Sequence, residues 1–235
     1  MATDHLERGA LAGIAGGLVY GLFLATVGNR FTAGLETFES GHHEGTVAVS
    51  ELTTAVASVG GGVLWGLLFG VGAFGVVYYL FEPALPGDGA GKRATLAAAG
   101  FLVVSGAPWL VLPPQPPGVE QALATDTRLA WYGGMMLVGT VVVSLCGLAY
   151  RRTADRSRLR TVGATLLPLL LLAVPVALAP ANPVHGPVPA PLAAAYRWSV
   201  VVGQGLLWAT IAAVHTWLGT PELTTEPADF PAPSD

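Results

Sequence analysis

The sequence predicts an all-α membrane protein with six transmembrane helices, and two features of its composition lead to that fold class. Only 11% of the 235 residues are charged, whereas a soluble domain carries about 25%. Hydrophobic residues make up 52% of the chain, and the mean hydropathy is +0.59. Six apolar stretches approach the roughly 20 residues that a helix needs to cross the hydrocarbon core of a bilayer.

The six predicted spans are separated by short polar or proline-rich segments. They cover residues 9–28, 56–81, 94–112, 129–150, 161–179 and 198–219. We predict that residues 1–219 form one transmembrane bundle. The last segment, residues 220–235, combines acids with prolines and lacks an apolar face, so we expect a disordered tail.

The orientation follows from the positions of Lys and Arg, which are enriched in cytoplasmic loops. A cytoplasmic N-terminus places eight basic residues inside: Arg8, Lys92, Arg93, Arg151, Arg152, Arg156, Arg158 and Arg160. Three then lie outside: Arg30, Arg128 and Arg197. Both termini are therefore predicted to be cytoplasmic, with the loop 29–55 and both proline-rich loops facing out. A proline-rich run followed by Arg and Trp occurs twice, which favours three helical hairpins.

Small residues recur every four positions in the first two spans. Gly9, Gly13, Gly17 and Gly21 form one ridge, and Ser58, Gly62, Gly66 and Gly70 form the other. Such ridges allow two backbones to approach closely in a membrane, so we expect these helices to pack together. Pro168 and Pro175 are expected to kink the fifth helix, because proline removes a backbone donor and crowds the preceding turn.

The outer loop 29–55 concentrates the residues that could bind a metal ion. Its five candidate ligands are Glu36, Glu39, His42, His43 and Glu44. If its first part is helical, Glu36, Glu39 and His43 share one helix face. Imidazole with carboxylate suits ions such as Co²⁺, Ni²⁺ and Zn²⁺. Two interpretations stay open, a collector of transition-metal cations or a solvated acidic loop with two incidental histidines.

Three further candidate metal ligands lie outside this run. Glu51 is either a lining carboxylate or an acid at the positive end of a helix dipole. His185, in the loop between the fifth and sixth spans, either meets the first loop across the mouth of the bundle or is a simple loop residue. His215, near the cytoplasmic end of the sixth span, is an exit ligand, a proton acceptor or a neutral histidine hydrogen-bonded to another helix. His5 is expected to be solvated, and Gln204 to line a path or to bond another helix.

Several function classes lack support. The segment Gly87–Arg93 has neither the first glycine nor the hydroxyl residue of a phosphate-binding loop. Motifs of serine hydrolases and zinc proteases are absent from the sequence. We therefore expect no enzyme activity, no tightly bound cofactor and no nucleic-acid partner. Haem binding through His185 or His215 is a remote alternative.

Two proline-containing segments resemble the CbtA family of predicted cobalt transporter subunits. They are APWLVLPPQPPGVEQALATDTRLAWYGG (Ala107 to Gly134) and HGPVPAPLAAAYRWSVVVGQGLLWATIAAVHTWL (His185 to Leu218). The resemblance implies a multi-pass protein of a prokaryotic cell membrane that takes up Co²⁺ for cobalamin synthesis. It also implies a small partner subunit with one span and histidines. Nickel transport, or a metal receptor or scaffold that does not transport, are the alternatives.

Overall fold

Six helices long and apolar enough to cross a membrane make up most of the computed structural model, which describes residues 2–39, 50–117 and 119–219. Within those ranges the helices span Ala2–Leu35, Glu51–Ala84, Gly89–Val111, Thr125–Thr153, Arg158–Leu178 and Ala190–Leu218. The predicted six-helix membrane fold is confirmed. These six helices are called the first to the sixth helix, in chain order. The tail 220–235 lies outside the described residues.

Each of the first three helices contains a π-helical segment. In the first helix, Leu24–Gly28 joins Ala2–Phe23 to Asn29–Glu39. The second helix combines the segments Glu51–Phe69, π-helical Gly70–Val77, Tyr78–Phe81 and 3₁₀-helical Glu82–Ala84. The third helix combines Gly89–Phe101, π-helical Leu102–Gly106 and Ala107–Val111. A π-helical turn frees backbone carbonyls, and Tyr132 Oη donates to one of them, Val104 O, at 2.7 Å.

The fifth helix is divided by its first proline. Its α-helical part Arg158–Leu166 gives way to a 3₁₀ helix, Leu167–Leu172, with Pro168 in the first turn, before Ala173–Leu178. The fourth and sixth helices, Thr125–Thr153 and Ala190–Leu218, are continuous. The helix type thus changes at Pro168, whereas Pro175 lies within the α-helical segment Ala173–Leu178, and the expected kinks at both prolines stay a prediction.

The glycine ridges of the first two helices face each other in antiparallel order. A Cβ on Gly17 would lie 2.5 Å from Gly62 O, and a Cβ on Gly9 would lie 2.5 Å from Gly70 O. Gly13 and Gly66 meet between these two pairs. The predicted packing is confirmed, and it brings the two backbones into direct contact.

The first helix packs against the second and the sixth, the sixth also against the third, the third against the fourth and the fourth against the fifth, while the π-helical segment of the second helix also contacts the third and sixth. The fifth helix therefore contacts mainly the fourth, while the sixth contacts mainly the first and third. One hydrophobic core joins the first, second, third and sixth helices and includes Phe74, Tyr78, Leu207, Trp208 and Ile211. A smaller core of Ala107, Met135, Val142 and Leu172 joins the third, fourth and fifth helices.

Candidate metal-handling sites

Two ends of the bundle carry the candidate residues. We call the end with Ala2 and Gly219 the terminal end and the opposite end, with both proline-rich loops, the loop end. The first helix continues to Glu39, so Glu36 and Glu39 lie on its last turns, although its side chains are described only as far as Leu35. His42, His43 and Glu44 lie outside the described residues. Their role as ligands stays a prediction.

Glu51 is the first residue of the second helix and is exposed. Ser50 caps that helix, since its hydroxyl oxygen accepts from Thr53 N at 3.2 Å. An acid in the first turn stabilises the positive end of the helix dipole. This position gives Glu51 a local structural role, and its carboxylate is also free to face the aqueous loop end.

His185 lies in a two-residue strand that pairs the two proline-rich loops. Strand β1, Glu120–Gln121, runs antiparallel to strand β2, Val184–His185, with Glu120 opposite His185. Side chains directly opposite in such a pair emerge on the same face with Cβ atoms about 5 Å apart. Both residues are exposed. The fold thus places an imidazole beside a carboxylate that sequence reasoning missed.

Side-chain hydrogen bonds from Asn182 hold the two strands together, and we call this unit the loop strap: β1, β2 and Asn182. Asn182 Oδ1 accepts from Leu123 N at 3.1 Å, and Asn182 Nδ2 donates to Gln121 Oε1 at 3.0 Å. Ala122 N also donates to Pro183 O at 3.1 Å. Arg197 on the sixth helix donates to Gln115 Oε1 at 2.9 Å, which ties the first proline-rich loop to the bundle.

Replacing Asn182 with alanine is expected to open the loop strap locally. The Leu123 amide loses its acceptor, a hydrogen bond worth about 1 kcal/mol, so this amide should exchange with solvent about fivefold faster. Hydrogen exchange by mass spectrometry on the peptide after Pro117 checks this. Gln121→Ala is the matched control, because it removes only the side-chain bond and leaves the Leu123 amide protected. Unchanged exchange in Asn182→Ala contradicts the assignment.

His215 at the terminal end is fully buried, although histidine is polar. Arg93 Nε on the third helix donates to His215 Nδ1 at 2.9 Å. Phe74 and Tyr78 flank the ring, with centroids 5.4 and 5.2 Å away. Because Nδ1 accepts, the proton of the neutral imidazole is on Nε2. Among the described residues Nε2 has no hydrogen-bond partner.

The surroundings of His215 form a connected polar group, which we call the His215 cluster: His215, Arg93, Tyr78, Glu82 and His5. The guanidinium of Arg93 lies over the Tyr78 ring, 5.2 Å from its centroid, and also donates to Gly89 O at 2.9 Å. Tyr78 Oη donates to Glu82 Oε1 at 3.1 Å. The His5 ring lies 5.9 Å from that of Tyr78 and 5.6 Å from that of Tyr79.

The cluster changes how two histidines are interpreted. The geometry favours the hydrogen-bonded alternative for His215, because a nitrogen that accepts from Arg93 is not available to a metal ion. The prediction of a solvated His5 is wrong, since its ring is half-buried against two tyrosines and its Nδ1 is inaccessible. From the sequence, Arg93 is predicted only to be one of the eight basic residues on the cytoplasmic side. Its position at one end of a span, opposite the end of the sixth, was the available signal.

Gln204, on the sixth helix, is the other candidate polar side chain inside the bundle, and its two amide atoms differ, since among the described residues Oε1 has no hydrogen-bond partner. Gln204 Nε2 donates to Tyr20 Oη at 3.3 Å and so bonds the first helix. A groove of about 600 Å³ between the third and sixth helices is lined by alanines with Phe101, Trp208 and Thr216, and offers few ligand atoms. Among the residues whose side chains are described, 2–35, 50–117 and 119–219, no three side chains of His, Cys, Asp or Glu converge in a metal site. The described residues therefore supply single ligands and pairs.

The family comparison covers nearly the whole bundle with its two proline-rich loops. The family described as probable cobalt transporter subunit, CbtA, matches residues 3–220. The chain belongs to the CbtA family. No curated protein and no solved structure matches it. Membership in CbtA and six membrane-spanning helices identify a multi-pass membrane protein, and the family description as a subunit implies a partner protein.

Proposed function

We propose that this CbtA member takes up Co²⁺ from the outside of a prokaryotic cell and supplies it for cobalamin synthesis. The bias of basic residues toward the terminal end supports a cytoplasmic location for that end. The loop end then faces out with Glu51, the loop strap and the candidate ligands of the outer loop 29–55. In this proposal Co²⁺ is the transported substrate, and the chain has no catalytic role.

The observation that carries the proposal is the pairing of Glu120 with His185 on the loop strap. One imidazole and one carboxylate form a donor set that suits borderline ions such as Co²⁺ and Ni²⁺. Two protein ligands leave several coordination positions to water, so the ion is held loosely enough to be released. Glu36, Glu39, His42, His43, Glu44 and Glu51 are proposed to collect ions at the same end.

The partner is proposed to be a small single-span membrane subunit with histidines. The family resemblance supports this identity, and the structure gives it a reason. Among the described residues the buried polar side chains are Ser105 and His215, and these two by themselves do not form a continuous polar path between the two ends. A histidine-bearing helix would add the ligands that a cation needs between the two ends.

The small number of buried polar side chains also favours a second candidate function, a receptor that binds metal ions and delivers them to a partner without transporting them. A receptor needs ligands at the surface and does not need a polar interior. The two candidates differ in one measurable respect, because a receptor binds Co²⁺ in a closed vesicle but does not release it inside.

Uptake of radiolabelled Co²⁺ into proteoliposomes tests the proposal, with and without the partner. We expect uptake that depends on the protein and an approximately tenfold rise in the half-saturating Co²⁺ concentration for Glu120→Gln/His185→Gln, equivalent to about 1.4 kcal/mol. Val184→Ala is the matched control, since Val184 is on the opposite face of the same strand. Competition by unlabelled Ni²⁺ measures the selectivity.

The possible outcomes of this experiment distinguish transport from binding without transport. Binding without accumulation, even with the partner present, supports the receptor. Accumulation that is identical in vesicles without the protein contradicts transport, and if the protein-containing vesicles also bind no extra Co²⁺, the receptor is contradicted as well. Unchanged half-saturation in the double variant removes the loop strap from the pathway while leaving transport intact.

A further inference from the structure

We propose that the His215 cluster is a cation site at the terminal end, and that the chain occupies it with its own guanidinium, Arg93. In this closed state Arg93 takes the ligand nitrogen, His215 Nδ1, which a metal ion would use. A transported ion leaves the bundle only by displacing Arg93. The inference deepens the proposed transport function, on which it rests.

The first argument is that the cluster has the chemistry of a cation site. His215 Nδ1 presents its lone pair to Arg93 Nε at 2.9 Å. The face of the Tyr78 ring attracts positive charge, and the guanidinium lies over it at 5.2 Å from the centroid. The Glu82 carboxylate is linked to the same ring through the Tyr78 hydroxyl. These three elements stabilise a cation, and Arg93 is the cation present.

The second argument is that Arg93 and a metal ion exclude each other. Nδ1 has one lone pair, which the Arg93 N–H already engages, and Nε2 carries the proton of the neutral ring. A divalent ion at Nδ1 would also lie against the guanidinium, and like charges at such a distance repel strongly in a poorly hydrated site. Binding of the ion therefore requires Arg93 to leave.

The remaining charged neighbours do not replace Arg93. The first helix contributes His5 and Arg8, which act on the His215 ring electrostatically. The second helix contributes Tyr78 and Glu82, the third contributes Arg93, and the sixth contributes His215. Glu82 is the acidic member of the cluster, and its carboxylate accepts a hydrogen bond from the Tyr78 hydroxyl. The positive charges around His215 thus disfavour a resident metal ion while Arg93 is in place.

The third argument is that Arg93 has a short route to the surface. Its side chain is half-buried, and it reaches from the fifth residue of the third helix, where it also donates to Gly89 O one turn earlier. One guanidinium nitrogen lies beside Gly219, where any side chain would collide with it. A long arginine side chain at a helix end can extend its head group to water while its methylenes stay in the bundle. Displacement needs only side-chain rotation.

Equilibrium Co²⁺ binding to the purified full-length protein in detergent tests the proposal. Arg93→Gln removes the tethered charge and should tighten binding about tenfold or add one site. Arg93→Gln/His215→Gln should lose that gain. Arg93→Lys keeps the positive charge and serves as the matched control, with no gain expected. A gain that persists without His215, or equal binding in Arg93→Gln and the wild type, overturns the proposal.

A measurement on the wild-type chain covers the case in which Arg93→Gln does not fold. With ¹⁵N-arginine labelling, the Arg93 Nε–H resonance reports its hydrogen bond to His215. Millimolar Co²⁺ should shift or broaden that resonance and leave those of Arg151 and Arg152 sharp. An unaffected Arg93 resonance contradicts the proposal. Because neither experiment measures flux, a gain in binding with no uptake in vesicles would reject the transport function and leave this site standing.

Discussion

Replacing Trp208 with alanine is expected to lower the free energy of unfolding by about 3–5 kcal/mol, as for other buried large aromatic residues. Trp208 is 3% exposed and lies at the centre of the larger core. The Trp208 and Phe69 rings pack at a tilt of 36°, with centroids 5.0 Å apart. The six-membered part of the indole lies against Gly100 of the third helix. Truncation leaves a cavity where the second, third and sixth helices meet.

The physical origin of this loss differs from that in a soluble protein. Lipid tails are as apolar as a protein core, so burying a tryptophan in a membrane protein gains little hydrophobic free energy relative to lipid. The loss comes from dispersion contacts that a rigid cavity cannot replace. Among the described residues nothing accepts a hydrogen bond from Trp208 Nε1, so Trp208→Phe, which keeps most of the contacts and removes this donor, should be much milder.

Thermal unfolding in detergent, followed by loss of the monodisperse peak, measures this effect. Trp198→Ala is the matched control, since Trp198 is on the same helix but is 69% exposed. We expect a large decrease in the unfolding temperature for Trp208→Ala and a small one for Trp198→Ala. Equal decreases would show that the core does not depend on Trp208.

Local periodicity explains which parts of the fold could be predicted from the sequence. The spans follow from apolar length, and the pairing of Gly13 with Gly66 follows from a four-residue repeat that both helices share. Tryptophans carry no such pattern. Trp198 and Trp208 are both embedded in apolar sequence, and only the packing of three helices distinguishes the buried one from the exposed one.

The candidate sites depend on pairing over long sequence distances, which local patterns do not encode. Arg93 and His215 are 122 positions apart, and each by itself suggests a loop charge or a buried histidine. Glu120 and His185 meet in strands of two residues within proline-rich loops, where the sequence gives no strand signal. Residue chemistry could therefore nominate His185 and His215 but not their partners.

Gly62→Ala is expected to destabilise the bundle by about 1–3 kcal/mol, the usual range for overpacking a close contact. A Cβ at this position would lie 2.5 Å from Gly21 Cα and 2.6 Å from Gly17 O, and backbone atoms cannot rotate away. The first two helices must then separate.

Gly61→Ala provides a control one residue away in the same helix, because a Cβ there meets nothing within 4 Å. Alanine also favours the helix over glycine by about 1 kcal/mol. The two neighbouring substitutions should therefore shift the unfolding temperature in opposite directions, or leave Gly61→Ala unchanged. If Gly62→Ala were as stable as Gly61→Ala, the close approach of the two backbones would be refuted. Since the second helix also positions Tyr78 beneath Arg93, separation of the first two helices should loosen the His215 cluster as well.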